Sequence, residues 1–411
     1  MKNLKQIKIE NSVCDKNNNS VPDILRVIEL CAGLGGTRLG AEGLGVFKVV
    51  QSSEVEPKVI QTYYDNFKNI PIGDFSKVPP NEWSDCEIIA ASLPCQSYSS
   101  EGNKLGIEDE RGALFYDFIE IVKAKKPLAI FLENVTGMVK LDNGNHLNLI
   151  LNCLRSIGYF PHYKIIKSSD YGVAQARERV YICAFSKNIQ FDFPEPREQV
   201  PAVASILERY PNPKYFLSQQ EIDHLVERKE IYLQRGHGFG FKVLDPSKPS
   251  RTLLKSSNSK IKNLLPVPIT KNKSNPDFGV IELFDSNNKS KQFNLRYLTL
   301  RECARLQGFP ESYKFTSSET ETYAQLGNAV SVPVIRAIFK EIYIALKGGL
   351  ENKTEPPKNK LEVTPAHKEL IELYVVKIKN AQNDIERKLL ENEFRLKSAK
   401  LRLKSQLKKA S

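Results

Sequence analysis

No stretch of this sequence is apolar for the length needed to cross a membrane, and no signal-peptide pattern is read at its amino end. No Cys-x-x-Cys pair occurs among its seven cysteines. They are scattered at Cys14, Cys31, Cys86, Cys95, Cys153, Cys183 and Cys303. An odd, unpaired set argues against a disulfide framework and for a reducing, intracellular setting. No Cys or His lies at ligand spacing from His237, which therefore reads as a hydrogen-bonding side chain rather than a metal ligand. The stretch Asp15 to Asp23 lacks what a calcium loop needs: Ser20 stands at the turn glycine and Arg26 at the bidentate acid. It reads as part of a solvated leader. Internal repeats are missing, and so is any excess of acid. The formal net charge is +12, which suits a polyanionic partner. At 411 residues the chain has room for two domains.

What is present is organised around Glu87 to Gly112. Ile88, Ile89, Ala90, Ala91 and Leu93 form the short apolar run of a strand buried on both faces. Pro94 stops it, and Cys95 follows at the carboxyl end, where open α/β sheets place ligands. Ser97, Ser99, Ser100, Gly102, Asn103 and Gly106 then make a segment able to move over a site. Cys95 is either an inert buried thiol or a nucleophile with a stabilised thiolate.

Ile24 to Leu30 reads as the first strand. The CAGLGG turn (Cys31 to Gly36) leads from it into an amphipathic helix, as in turns that bring backbone amides to a ligand. A second strand ends at Glu54, 19 positions after Gly35. That spacing fits the ribose-binding acid of nucleoside-binding βαβ units, or else a tight turn with a surface glutamate. Asp74 is a third candidate contact or a helix cap. Ala113 to Lys123 and Asn145 to Ile157 have helical spacing, and Glu133 and Asn134 end a further strand. Arg177 and Arg179 are either solvated edge residues or two donors aimed into a cleft. From Ser186 the prolines cluster and the α/β rhythm is lost. Residues 186–294 read as a mostly β and loop module with basic and aromatic residues on glycine-rich loops. Leu298 to Phe309 reads as a helix, and another is expected to begin at Asn328. After Pro356 and Pro357, Ala366 to Lys409 reads as a basic amphipathic helical tail. From Glu351 onward there are 15 Lys and Arg against 9 Asp and Glu, half the net charge.

Seven blocks in order carry a resemblance: ELCAGLGG from Glu29, SLPCQSYS from Ser92, RGALF from Arg111, ENV from Glu133, QARER from Gln175, RYLTLRECARLQGFP from Arg296 and QLGNAVSVPV from Gln325. Together the chain resembles a C5-cytosine DNA methyltransferase of the bacterial restriction–modification type. The resemblance implies an α/β fold. A Rossmann-like, S-adenosylmethionine-dependent methyltransferase domain would hold an inserted, small, mostly β/loop target-recognition domain, followed by a C-terminal helical tail. The expected division is a polar leader (1–23), the first part of the catalytic domain (24–185), target recognition (186–294), a returning catalytic segment (295–346), and linker with basic tail (347–411).

Carried over residue by residue, the resemblance makes Cys95 the nucleophile, Glu133 the catalytic acid, and Arg177 and Arg179 the base-contacting arginines. Donor contacts fall on Leu30, Ala32, Gly33, Gly35, Gly36, Glu54, Asp74, Pro94 and Asn328. DNA contacts fall on Gln96, Ser99, Arg111, Gln175, Arg235, His237, Arg251 and Thr252. Thr37 departs from the family, which usually has an adenine-stacking aromatic there, and Cys31 stands where phenylalanine is usual. The implied cofactor is S-adenosylmethionine, with no metal. The implied partners are double-stranded DNA and a cognate restriction endonuclease acting on the same site. Self-association through the tail is a further expectation. The implied location is the cytoplasm, on the nucleoid. Two other readings stand beside this one: a tRNA cytosine-5 methyltransferase, which shares the core blocks, and an inactive DNA-binding specificity subunit.

Overall fold

The computed structural model describes residues 21–94, 113–140, 145–236, 240–255, 257–269, 277–284 and 289–348. Alternation of strand and helix begins at once. Strand β1 (Leu25–Leu30) leads through the glycine turn to α1 (Gly36–Glu42), β2 (Phe47–Ser52) and α2 (Pro57–Phe67). Strand β3 (Ile88–Ala91) is buried at every position, as its unbroken apolar run predicts. Helix α3 (Ala113–Lys125) precedes β4 (Ala129–Val135). Helices α4 (Gly137–Lys140) and α5 (Asn145–Ser156) lead to β5 (Phe160–Lys167), the short β6 (Gln175–Ala176) and β7 (Glu178–Phe185).

Six of these strands form one sheet in the order β2-β1-β3-β4-β7-β5. The first four are parallel, and β7 runs antiparallel to β4 and β5. Apolar side chains fill both faces. Ile28, Ile89, Ile130 and Phe118 share one core, and Val27, Ile88, Phe131 and Phe339 the other. A sheet covered on both sides puts its chemistry at the strand ends, because the faces are occupied.

The segment that follows is mostly short strands and loops, with one helix that was not expected. It holds a helix of 16 residues, α6 (Gln219–Gln234). Ser218 caps it, with Glu221 bonding back to the Ser218 N–H, a reciprocal pair that stabilises a helix start by about 1 kcal/mol. Strand β8 (Ser250–Arg251) pairs with β6, while β9 (Leu265–Pro268), β10 (Val280–Phe284) and β11 (Ser290–Arg296) make a small antiparallel sheet. Leu217, Ile222, Phe241, Leu264 and Leu295 form its own core.

The chain then returns. Helix α7 (Leu300–Gln307) starts from a Thr299–Glu302 capping box. Glu302 also takes a buried bidentate pair from Arg296, at 2.7 and 2.8 Å. Removing one partner of such a pair typically costs about 3–5 kcal/mol. Helix α8 (Glu319–Asn328) ends where a helix was expected to begin, and α9 (Val332–Gly348) starts four residues later. Pro333 sets that start, since proline fits the first turn of a helix but not its interior. Helix α9 packs on α1: a Cβ on Gly40 would lie 2.7 Å from Ile335. The Tyr313 hydroxyl donates to the Leu34 carbonyl at 2.6 Å and fastens the return to the first turn.

Candidate active site

The glycine turn after β1 is built from left-handed backbone: Cys31 at φ 55°, Gly33 at 54° and Gly35 at 71°. Gly35 is also sterically required, because a Cβ there would sit 2.3 Å from the Phe67 ring. Gly36 meets Val330 of the returning segment in the same way, at 2.7 Å. The Ala32 N–H donates to Ser53 O at 2.8 Å, tying the turn to the end of β2. Glu54 is held by three backbone amides. Gly33 N–H donates to one oxygen at 2.8 Å, and Val55 and Glu56 N–H donate to the other at 2.8 and 3.1 Å. Its carboxylate is thus fixed against the turn before any ligand arrives.

Asp74 caps a short 3-10 turn, accepting from the Ser76 N–H and hydroxyl at 3.0 and 2.7 Å. Burial pushes the Cys31 thiol pKa far up, with the nearby charges of Glu54 and then Asp74 adding to it. Leu30 is buried beneath, and Pro94 is half-buried just past β3. Asn328 is exposed at the end of α8, two residues before the Val330 that contacts Gly36. The expected donor contacts therefore lie around one end of the sheet. Thr37 is buried and supplies no ring.

The second group of residues lies across the same sheet edge. Glu133, 8% exposed, lies two residues before the end of β4, and its Oε1 lies 3.3 Å from Arg179 Nε. The β4–β7 register makes this pair, since Glu133 faces Tyr181 and Val135 faces Arg179. Asn134 Nδ2 donates to Leu93 O at 3.3 Å, and its Oδ1 accepts from Val135 N–H at 2.9 Å. The end of β4 is thereby joined to the strand that leads into Cys95. Asn134 was not among the expected site residues, although its place beside Glu133 in the ENV block was a signal. A small cavity lies against Glu133, walled by Leu93, Phe115, Leu132, Met138 and Val180.

Cys95, Gln96, Ser99, Arg111 and His237 lie outside the described residues. The described cysteines are poor nucleophiles. Burial pushes Cys86 up to about 12 and Cys153 to about 11, and it raises Cys31, Cys183 and Cys303 as well.

Two of the expected contact residues are buried in this structure. Gln175, expected at DNA, is 0% exposed. Its Nε2 donates to Leu306 O at 3.0 Å and its Oε1 accepts from Leu253 N–H at 2.8 Å. Arg177, expected beside the base, is 2% exposed and directs Nη1 to Leu253 O at 3.2 Å and Gly327 O at 3.0 Å. A buried guanidinium needs acceptors, and the carbonyls of two converging segments supply them. Arg235 and Arg251 are exposed, while the Thr252 hydroxyl donates to Ala176 O at 3.2 Å. Among the described residues no group of three or more His, Cys, Asp or Glu is placed to hold a metal ion, and no helix is long and apolar enough to cross a membrane.

Comparison with known proteins matches the family described as C-5 cytosine-specific DNA methylase over residues 25–344. The Type II methyltransferase M.HpaII of Haemophilus parainfluenzae is 36% identical over 338 residues, 80% of this chain and 91% of that protein. M.HhaI of Haemophilus parahaemolyticus is 34% identical over 328 residues, 77% of this chain and 94% of the relative. Among solved structures, the Entamoeba histolytica methyltransferase EhMeth shares the fold, with a TM-score of 0.62 at 21% identity over 80% of this chain and all of that one. A putative DNA modification methyltransferase of an E. coli prophage does so at 0.54 and 21%, over 78% of this chain and 99% of its own. With the match running from β1 into α9, this chain belongs to the C-5 cytosine-specific DNA methylases, S-adenosylmethionine-dependent enzymes that methylate cytosine in DNA.

Proposed function

We propose that the chain methylates C5 of a flipped-out cytosine in one specific duplex sequence, through a covalent bond between Cys95 Sγ and C6 of the base. The methylation then protects host DNA in the cytoplasm from a cognate endonuclease that cuts the same site. The observation that carries this reading is the Glu133–Arg179 pair, joined through Asn134 to the strand end that precedes Cys95. When bound, S-adenosylmethionine supplies an electrophilic methyl group. Leu30, the Ala32–Gly36 turn, Glu54, Asp74, Pro94 and Asn328 would hold it. The fit is supported by the immobilised Glu54 carboxylate and by Gly33, where a Cβ would meet nothing within 4 Å.

C5 of cytosine is a weak nucleophile. Addition of the Cys95 thiolate at C6 forms the Sγ–C6 bond and moves electron density onto C5. The charge that spreads to N3 and O2 must be met. Glu133 shares a proton with N3, and Arg179 donates to O2. After methylation a water molecule takes the C5 proton, the C5=C6 double bond re-forms, and the Sγ–C6 bond breaks with its electron pair leaving on Cys95 as thiolate. The base must leave the duplex stack for any of these contacts to form.

The test is a duplex carrying 5-fluorocytosine at the target position. Fluorine cannot depart as a cation, so the enzyme stays attached. A donor-dependent band, shifted on a denaturing gel, is expected for the full chain and is expected to vanish in Cys95→Ser. A band that persists in Cys95→Ser, or none on a verified substrate, sinks the adduct. Labelled methyl entering RNA but not DNA would transfer the reaction to the other nucleic acid.

A further inference from the structure

The residues from Ser250 to Leu253 are held from every side. Ser250 N–H donates to Ala174 O at 2.8 Å. Arg251 N–H donates to the buried Asn263 Oδ1 at 3.1 Å. The Thr252 hydroxyl reaches Ala176 O. Both backbone groups of Leu253 are taken, the N–H by Gln175 and the carbonyl by Arg177. On the far side a Cβ on Gly327 would come within 2.2 Å of Leu254 O. From Ser250 to Lys255 only Arg251 and Lys255 are exposed. Two residues beyond Arg177, the same run of chain carries Arg179 and its contact with Glu133.

We infer that Gln175 and Arg177 are positioning residues for methyl transfer. By gripping Leu253 they set the Arg251–Lys255 turn, and the two cations it presents to DNA phosphates, at a fixed offset from Arg179. The inference rests on the reaction proposed above. Gln175 and Arg177 do not touch the base. They make registration of the DNA and placement of Arg179 one event, because the same five residues hold both. A free lysine or arginine would attract phosphate without fixing where the target nucleotide lies. A segment anchored through the backbone of Ser250, Arg251 and Leu253 holds that position within the tolerance catalysis needs.

The experiment uses the full chain, its site first mapped by bisulfite sequencing of DNA from expressing cells. Single-turnover rates are measured on a duplex with that site and on one with a single base changed. Arg177→Lys keeps the charge but cannot span the Leu253 and Gly327 carbonyls. Asn263→Ala frees the Arg251 N–H from the opposite side and touches neither Arg179 nor the donor turn. For both, the rate on the mapped site is expected to fall about tenfold, the scale of one broken buried hydrogen bond. The preference for that site over the altered one is expected to fall with it, while KM for the donor stays within about twofold. Rates are normalised to active enzyme. Unchanged rate and preference per active enzyme, or a change in donor KM alone, overturns the inference. If Arg177→Lys does not fold, Asn263→Ala decides. Wild-type protein that methylates no DNA would instead remove the reaction itself, a different failure.

Discussion

Glu29 lies under the glycine turn at 1% exposure, accepting from the Tyr63 hydroxyl at 3.1 Å and the Arg38 N–H at 3.2 Å. Burial pushes its pKa up to about 7, against the pull of Tyr63 and Arg38. The folded chain therefore holds a proton that the unfolded chain releases at ordinary carboxylate pH. The stabilisation is complete below the ordinary carboxylate pKa and is lost as pH rises through about 7. The thermal midpoint is expected to decline across this window. Glu29→Gln keeps the volume but cannot titrate, so its midpoint should decline less. Equal slopes for the two proteins would show that Glu29 does not set the trend. Nothing in the sequence marks Glu29 out, because an acid inside the first strand acquires its environment only when α2 delivers Tyr63. The burial of Gln175 and Arg177 was illegible for the same reason. Their partners Leu253 and Gly327 lie 78 and 150 residues away.

Strand β11 pairs with both β9 and β10 and crosses the boundary expected at residue 294. Arg296, its last residue, is bonded to Glu302 of α7. At the other end Ile189 and Phe191 pack in the main core, inside the stretch expected to be separate. Exchanging the recognition segment for a relative's should therefore work with junctions after Phe193 and after Arg296. The hybrid is expected to keep its turnover and methylate the relative's sequence, read by bisulfite mapping. Methylation still at the original sequence would place readout elsewhere. The sheet strands were legible because unbroken apolar runs and glycine turns are local signals. So was the capping box of α6, Ser218 with Glu221, which announces a helix where loops were expected. The α8–α9 break was less legible: Gly327 resembles a turn residue, yet it lies inside α8 because only a glycine clears Leu254 O.

Over the whole molecule, charge is distributed unevenly. Residues 351–411 carry 15 Lys and Arg against 9 Asp and Glu, and they lie outside the described residues. If they grip DNA without reading it, removing them should weaken binding and leave site preference alone. The slope of log affinity against log salt should then become shallower by about 0.9 for each phosphate that the tail had neutralised. Unchanged affinity and slope with a lower oligomeric mass would make the tail an assembly element instead. The bond from Tyr313 to Leu34 spans 279 residues, and α9 must dock before α1 is covered. A ribosome adding 5–20 residues per second needs roughly a quarter of a minute to a minute to cross that gap. Throughout that interval the glycine turn, proposed to hold the donor, waits without its far wall. Chains released early should be not slow enzymes but empty ones, with the α1 surface bare and prone to aggregate. Methylating capacity in a cell then follows the rate of completed synthesis, with a built-in delay between message and mark.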